Sequence, residues 1–177
     1  MKMGRVLLVF LSVLYLSGCV SSTNVESVAY KGVEITYAKE LKNNIVLSSV
    51  TGGEDANPFK ISNEEFLDAL RLSLINQKLF SGEGVYRLSV KLIKIDQPVF
   101  GSSFEVKTYV QYTLKNTLTH STVFNDTISA PYTATFGDAF LGFKRLRLAN
   151  EGSANKNIEM FLSELADLKI TPTQILL

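Results

Sequence analysis

Cys19 is the only thiol in this sequence and His120 the only imidazole. Side by side, the two would make a nucleophile and its base. Apart, neither is a site. One cysteine forms no internal disulfide, and a single His and Cys leave a zinc ion short of its usual ligands. His120 lies in the polar stretch Asn116–Ser121, "NTLTHS", and reads as an exposed turn residue. The carboxylates are scattered: Glu54 and Asp55 sit in a loop, and Glu64 and Glu65 open a helix, where capping and the helix dipole explain them. Asp126 is the odd one, since it interrupts an otherwise apolar strand face. A strand end or bulge that turns it outward would explain it. A pocket of converging carboxylates around it would mark an enzyme. No P-loop, GxSxG or dinucleotide fingerprint occurs, and "GGED" alone is too little to suggest a nucleotide cyclase.

The richest segment is Phe136–Gly152, "FGDAFLGFKRLRLANEG". Phe136, Phe140 and Phe143 precede Lys144, Arg145 and Arg147. One reading is aromatic core packing followed by a solvated basic turn. The other is an apolar groove with a basic rim that receives an acyl chain and its anionic headgroup, or an apolar patch of a partner protein. On that second reading, replacing Lys144, Arg145 and Arg147 by Ala weakens binding and leaves the fold intact.

Cys19 is explained by what precedes it. Lys2 and Arg5 form a basic start, and Val6–Leu16 is a nearly unbroken apolar run of eleven residues. A membrane span needs roughly 20 such residues. A core helix would alternate with polar positions, and this run hardly does. The pattern is that of a signal peptide over residues 1–18. Leu16-Ser17-Gly18-Cys19, "LSGC", resembles the lipobox of bacterial lipoproteins. The resemblance implies cleavage between Gly18 and Cys19, and a diacylglyceryl and an N-acyl lipid on Cys19. It also implies that the thiol is not free for catalysis. No other cofactor is implied. Val20 follows the cysteine, where an Asp would favour inner-membrane retention, so the resemblance implies the periplasmic face of the outer membrane. Acyl chains at about 0.8 kcal/mol per buried CH2 make a stable anchor. Residues 19–27 read as the lipidated N-terminus and a short polar tether.

Removing Lys2 and Arg5 leaves 16 bases against 17 acids. A body so close to neutral carries no broad field for nucleic acid. The rest of the chain has an ordinary globular composition, 46% hydrophobic and 20% charged, and one domain is expected over residues 28–170, with a tail at 171–177. Lys31–Ala38 could be a short strand, and "NIVLSSV", Asn44–Val50, is a firmer one. "SNEE", Ser62–Glu65, has capping-box form, and Phe66, Leu67, Leu70, Leu74 and Ile75 recur at helical spacing, which predicts a helix over about 63–78. Alternation predicts strands at "YRLSVKL", at "FEVKTYVQYTLK" and through Phe124–Ala134, where Pro131 favours a sheet edge or a bulge. Val99 and Phe100 stand in a turn, an unusual place for apolar side chains. Asp138 is the expected N-cap of one long helix reaching about Leu168, with a break or bend near Gly142.

The order β-α-β-β-β-α predicts an α+β two-layer sandwich: a sheet of about four mainly antiparallel strands with two helices on one face. That order behind a lipobox resembles small periplasmic lipoproteins, among them those of the LptE kind and the auxiliary lipoproteins of ABC-type lipid transport systems. "GVYRLSVKL", "VKTYVQYTL" and "DAFLGFKRLRLANEGSANKNIEMFL" resemble a set of uncharacterised proteobacterial lipoproteins. These resemblances imply a non-enzymatic accessory or binding module in envelope assembly or lipid transport. Its partners would be the membrane, through the anchor, an envelope protein, and a lipid. The alternative is a structural or secretion-associated lipoprotein that helps a membrane complex assemble.

Overall fold

A computed structural model describes residues 24–53 and 60–170. The signal segment, Gly18, Cys19, the loop carrying Glu54 and Asp55, and the tail 171–177 lie outside the described residues.

Alternating side chains set the sheet. Strands β1 (Ile45–Gly52), β2 (Tyr86–Asp96), β3 (Phe104–Asn116) and β4 (Thr122–Ala134) lie side by side in that order. β2, β3 and β4 pair antiparallel, and β1 joins β2 in parallel. The parallel pair follows from the helix between them: α2 (Asn63–Asn76) carries the chain back across the sheet before β2 begins. On one face Tyr86, Leu88, Val90 and Leu92 of β2, and Phe104, Val106, Thr108, Val110, Tyr112 and Leu114 of β3, are buried. A register shift between Leu92 and Lys94 exposes Ile93 and returns Ile95 to the core. The other face is solvated. There the Lys94 ammonium lies 4.5 Å and the Lys107 ammonium 5.1 Å from the Tyr109 ring centre.

The buried face is covered by α2 and by α3 (Gly142–Ala166), with a short helix α1 (Val25–Val28) against both. The expected capping box of α2 is present: Glu65 N–H donates to Ser62 Oγ at 3.2 Å, and Ser62 N–H to Glu65 Oε2 at 2.9 Å. Phe66, Leu70 and Leu74 are buried as expected, whereas Ile75 is half exposed, one position off the stripe. β4 ends the sheet, which is where Pro131 is tolerated.

Three local expectations are corrected. Lys31–Ala38 is not a strand. The buried side chain of Gln77 takes a neighbouring strand's place: its Oε1 accepts from Ile35 N–H at 2.8 Å and its Nε2 donates to Val33 O at 3.4 Å. Asn24–Ser27, read as tether, belong to the folded domain as the cap and body of α1. The long helix begins at Gly142, not at Asp138. Asp138 instead closes a turn, where its Oδ2 accepts from Thr135 N–H at 2.7 Å and Thr135 Oγ1 at 2.8 Å.

Candidate functional site

The segment Phe136–Gly152 departs from the expectation of aromatic core packing with a solvated basic turn. Its aromatic rings stand outside and one of its arginines stands inside. Phe140 is 76% exposed, and Phe136 and Phe143 are each 55% exposed. Arg145 is 5% exposed. Its Nη1 donates to Ala139 O at 2.8 Å and to Phe140 O at 2.7 Å. Its Nη2 lies 3.5 Å from Gly101 O, a weak bond to the loop between β2 and β3. The guanidinium carbon sits 4.8 Å from the Phe136 ring centre and 5.4 Å from that of Phe104. One buried cation therefore ties together the two loops at this end of the sheet. Its Nε finds no acceptor, so the site is tight but not perfectly satisfied. Arg145 is a clamp, and it is not a rim residue for an anionic headgroup.

Lys144 is exposed. Arg147 is turned along its helix, with Nε 3.5 Å from Glu151 Oε1. Glu151 is itself buried and receives Asn24 N–H at 3.2 Å and Ser27 Oγ at 2.9 Å. Asn155 Nδ2 donates to Val28 O and Ala29 O at 3.1 and 3.0 Å. The first described residues are thus fastened to the middle of α3. The carboxylate of Asp138 is held below the usual carboxylate range by the Thr135 N–H, then by the Thr135 hydroxyl.

Below this end, a polar seam runs between α3 and the sheet. Ser153 Oγ accepts from Thr108 N–H at 2.9 Å and reaches Ala130 O at 2.8 Å, bridging residues that face each other across β3 and β4. Asn157 Nδ2 donates to Ile128 O at 2.9 Å, and its Oδ1 accepts from Tyr112 Oη at 2.8 Å. Burial pushes the Tyr112 hydroxyl well above its ordinary pKa, and the Glu164 charge adds to it. The Tyr112 and Phe161 rings stack 4.0 Å apart. Sequence reasoning missed Ser153 and Asn157. The signal was the stripe of Ile158, Phe161, Leu162 and Leu165, which continues backward through Asn157, Ala154 and Ser153 at the same spacing.

The seam binds the fold together and offers no open chemistry. Asp126 lies on the Tyr112 side of the sheet, opposite it in the ladder, but is exposed. Glu164 has its pKa raised by burial and by the Asp126 charge. Two concavities, of about 350 and 270 Å³, lie elsewhere. The first is lined by Glu34, Tyr37, Lys39, Lys42 and Lys78, the second by Tyr86, Asn116 and Lys169 among others. Neither contains Asp126, His120 or the Phe136–Gly152 segment. His120 is exposed at the hairpin tip, with φ of 55°. Among the described residues no cluster of three His, Cys, Asp or Glu side chains is placed to hold a metal, and no helix is long and apolar enough to cross a membrane.

No family model matches the chain, and no curated protein does. The chain is similar in structure to protein XCC0632 from Xanthomonas campestris, of the DUF330 family model. That match has a TM-score of 0.54 at 8% identity and covers 74% of this chain and 90% of that one. At that identity the likeness is one of fold, and it agrees with the two-layer architecture. The hypothetical protein CT253 from Chlamydia trachomatis matches with a TM-score of 0.48 and 8% identity, over 70% of this chain and 91% of that one. Lipoprotein GNA1162 from Neisseria meningitidis matches with a TM-score of 0.46 and 7% identity, over 70% and 98%. Both lie below a TM-score of 0.5.

Proposed function

We propose that this chain is a lipid-anchored accessory protein of the bacterial envelope. Cys19 carries the diacylglyceryl and N-acyl groups, and the α+β domain works at the periplasmic face of the outer membrane without catalysing a reaction. The observation that carries the reading is the spacing at the N-terminus. A lipobox ends at Cys19, and the chain is already fastened to α3 at Asn24, five residues later. So short a link holds the domain against the membrane and raises its effective concentration near membrane partners. The placement of Asp126 and His120 on open surface gives no support to an enzyme. Labelling with a radioactive or clickable fatty acid tests the anchor: wild type is expected to incorporate label and Cys19→Ala to lose it. Equal labelling of the two would remove the reading.

The process served is envelope assembly or lipid transport, with an envelope protein and a lipid as the expected partners. A second reading, an assembly role in a membrane complex, is favoured by β4, a thirteen-residue terminal strand of the sheet. Purification from solubilised membranes separates the two. Co-purifying phospholipid favours transport, and a stable oligomeric membrane partner favours assembly.

A further inference from the structure

One end of the sheet gathers exposed apolar side chains from two separate loops. Val99 and Phe100 are 83% and 85% exposed in the β2–β3 loop. Phe136, Phe140 and Leu141 stand out from the β4–α3 connection, and Phe143 from the first turn of α3. The antiparallel pairing brings both loops to the same end, with Phe104 opposite Ala134. The Arg145 clamp holds the two loops to each other, and the Phe136 and Phe140 rings meet edge-on at 5.1 Å. Single exposed apolar residues are ordinary, but six gathered at one end, two of them in ring contact, mark a contact surface.

We propose that this end seats the protein on the bilayer, dipping into the headgroup and upper acyl region of the leaflet that holds the Cys19 lipid. The proposal rests on the lipid-anchor reading above.

Two observations select a bilayer as the occupant. The first is the path of the chain. α1 runs alongside α3 in the same direction, from Glu151, which holds Asn24, to Asn155, which holds Val28 and Ala29. The N-terminal end of α1 is therefore the end nearer Gly142 and the aromatic cluster. Five residues extend at most about 17 Å, and eight residues of helix from Glu151 back to Phe143 measure about 12 Å. The lipidated Cys19 therefore reaches the level of Phe143 without lifting the domain. The second is charge. Residues 97–103 carry none, and residues 135–144 carry only Asp138 and Lys144. Insertion is thus driven by apolar burial and does not need anionic lipid. The ionised, exposed Asp138 limits the depth to the headgroup level. The consequence is orientation: the acyl chains hold the protein at the membrane, and the aromatic end fixes which way the domain stands. His120 and the far end of the sheet then point into the periplasm.

The chain contains no Trp, so single Trp reporters are unambiguous. The full-length protein, purified with its native acylation and reconstituted in phosphatidylcholine vesicles, is compared as Phe100→Trp, Phe140→Trp and Val33→Trp. Val33 is exposed near Gln77, at the opposite end. Bromine-labelled acyl chains are expected to quench positions 100 and 140 at least about threefold more than position 33, as an interfacial depth requires, with iodide quenching in the reverse order. Iodide access at 100 and 140 equal to that at 33 overturns the proposal. Shielding from iodide without bromolipid quenching also overturns it, and assigns the end to a second copy of the chain. The intact mass of the same sample reports acylation. An acylated chain with water-exposed reporters fails this surface alone, and an unacylated chain fails the anchor, whatever the reporters show.

Discussion

Arg145→Met should loosen one end of the molecule and leave the other alone. The guanidinium makes two short bonds, to Ala139 O and Phe140 O, at 2.8 and 2.7 Å. Hydrogen bonds involving a charged partner contribute about 1.5–3 kcal/mol each. Stacking on Phe136 and Phe104 adds about 1 kcal/mol. Two effects reduce the loss: the unacquired bond at Nε already counts against the wild type, and water reaches the freed carbonyls beside exposed Phe140. A net loss of about 3 kcal/mol remains. For a domain of this size that lowers Tm by roughly 6–12 °C. The exposed neighbour is the control, and Lys144→Ala should stay within about 0.5 kcal/mol of wild type. Urea unfolding followed by far-UV circular dichroism gives the magnitude. Amide exchange gives the place, with protection lost first in residues 97–103 and 135–141. A loss below about 1 kcal/mol, or exchange that rises evenly over the chain, would refute the clamp. By the same reasoning, removing Lys144, Arg145 and Arg147 together should lower stability, where the sequence reading expects the fold to be spared.

Gly152 is packed under the Tyr132 ring, and a Cβ there would meet ring atoms at 2.5 Å. Gly152→Ala should therefore cost about 1–2 kcal/mol, although Ala is the better helix former. In a Tyr132→Ala background the sign should reverse to a gain of up to about 1 kcal/mol, as a double-mutant cycle in urea would show. Asn157→Ala strands the Tyr112 hydroxyl and Ile128 O inside the core and should lose about 2–3 kcal/mol. Adding Tyr112→Phe should recover part of that, because an orphaned hydroxyl disappears, and an additive double mutant would contradict the pairing. Asp138 has a folded-state pKa below its unfolded value. Its contribution is present above the unfolded pKa and fades as pH falls through the folded one. The Thr135 amide resonance should shift across that acid range in wild type and stay still in Asp138→Asn.

Alternation and helical spacing made the sheet and α2 readable. Phe104, Val106, Val110, Tyr112 and Leu114 announce their face because a strand has a period of two, and Ser62 with Glu65 announces the helix start because capping is local. The composition of Phe136–Gly152 marks the segment, but not which of its side chains turn inward. The carbonyls of Ala139 and Phe140 are close in the chain, but only the packed loop at Gly101 and the Phe104 ring enclose the arginine that meets them. A segment docked by one glutamine, such as residues 31–38, looks like a strand for the same reason.

By itself the sequence determined the order of elements and the buried face of each central strand, since these depend on neighbours within a few residues, and it alone carries the lipobox resemblance at Cys19 on which the proposed anchor rests. Only the tertiary structure decided that Arg145 turns inward, that Phe100 and Phe140 from distant loops share one end, and that Asn24 is fastened to Glu151. The Asn24 contact joins groups 127 positions apart, Arg145 meets Gly101 44 positions away besides its near neighbours Ala139 and Phe140, and all come together only when helices and sheet have packed.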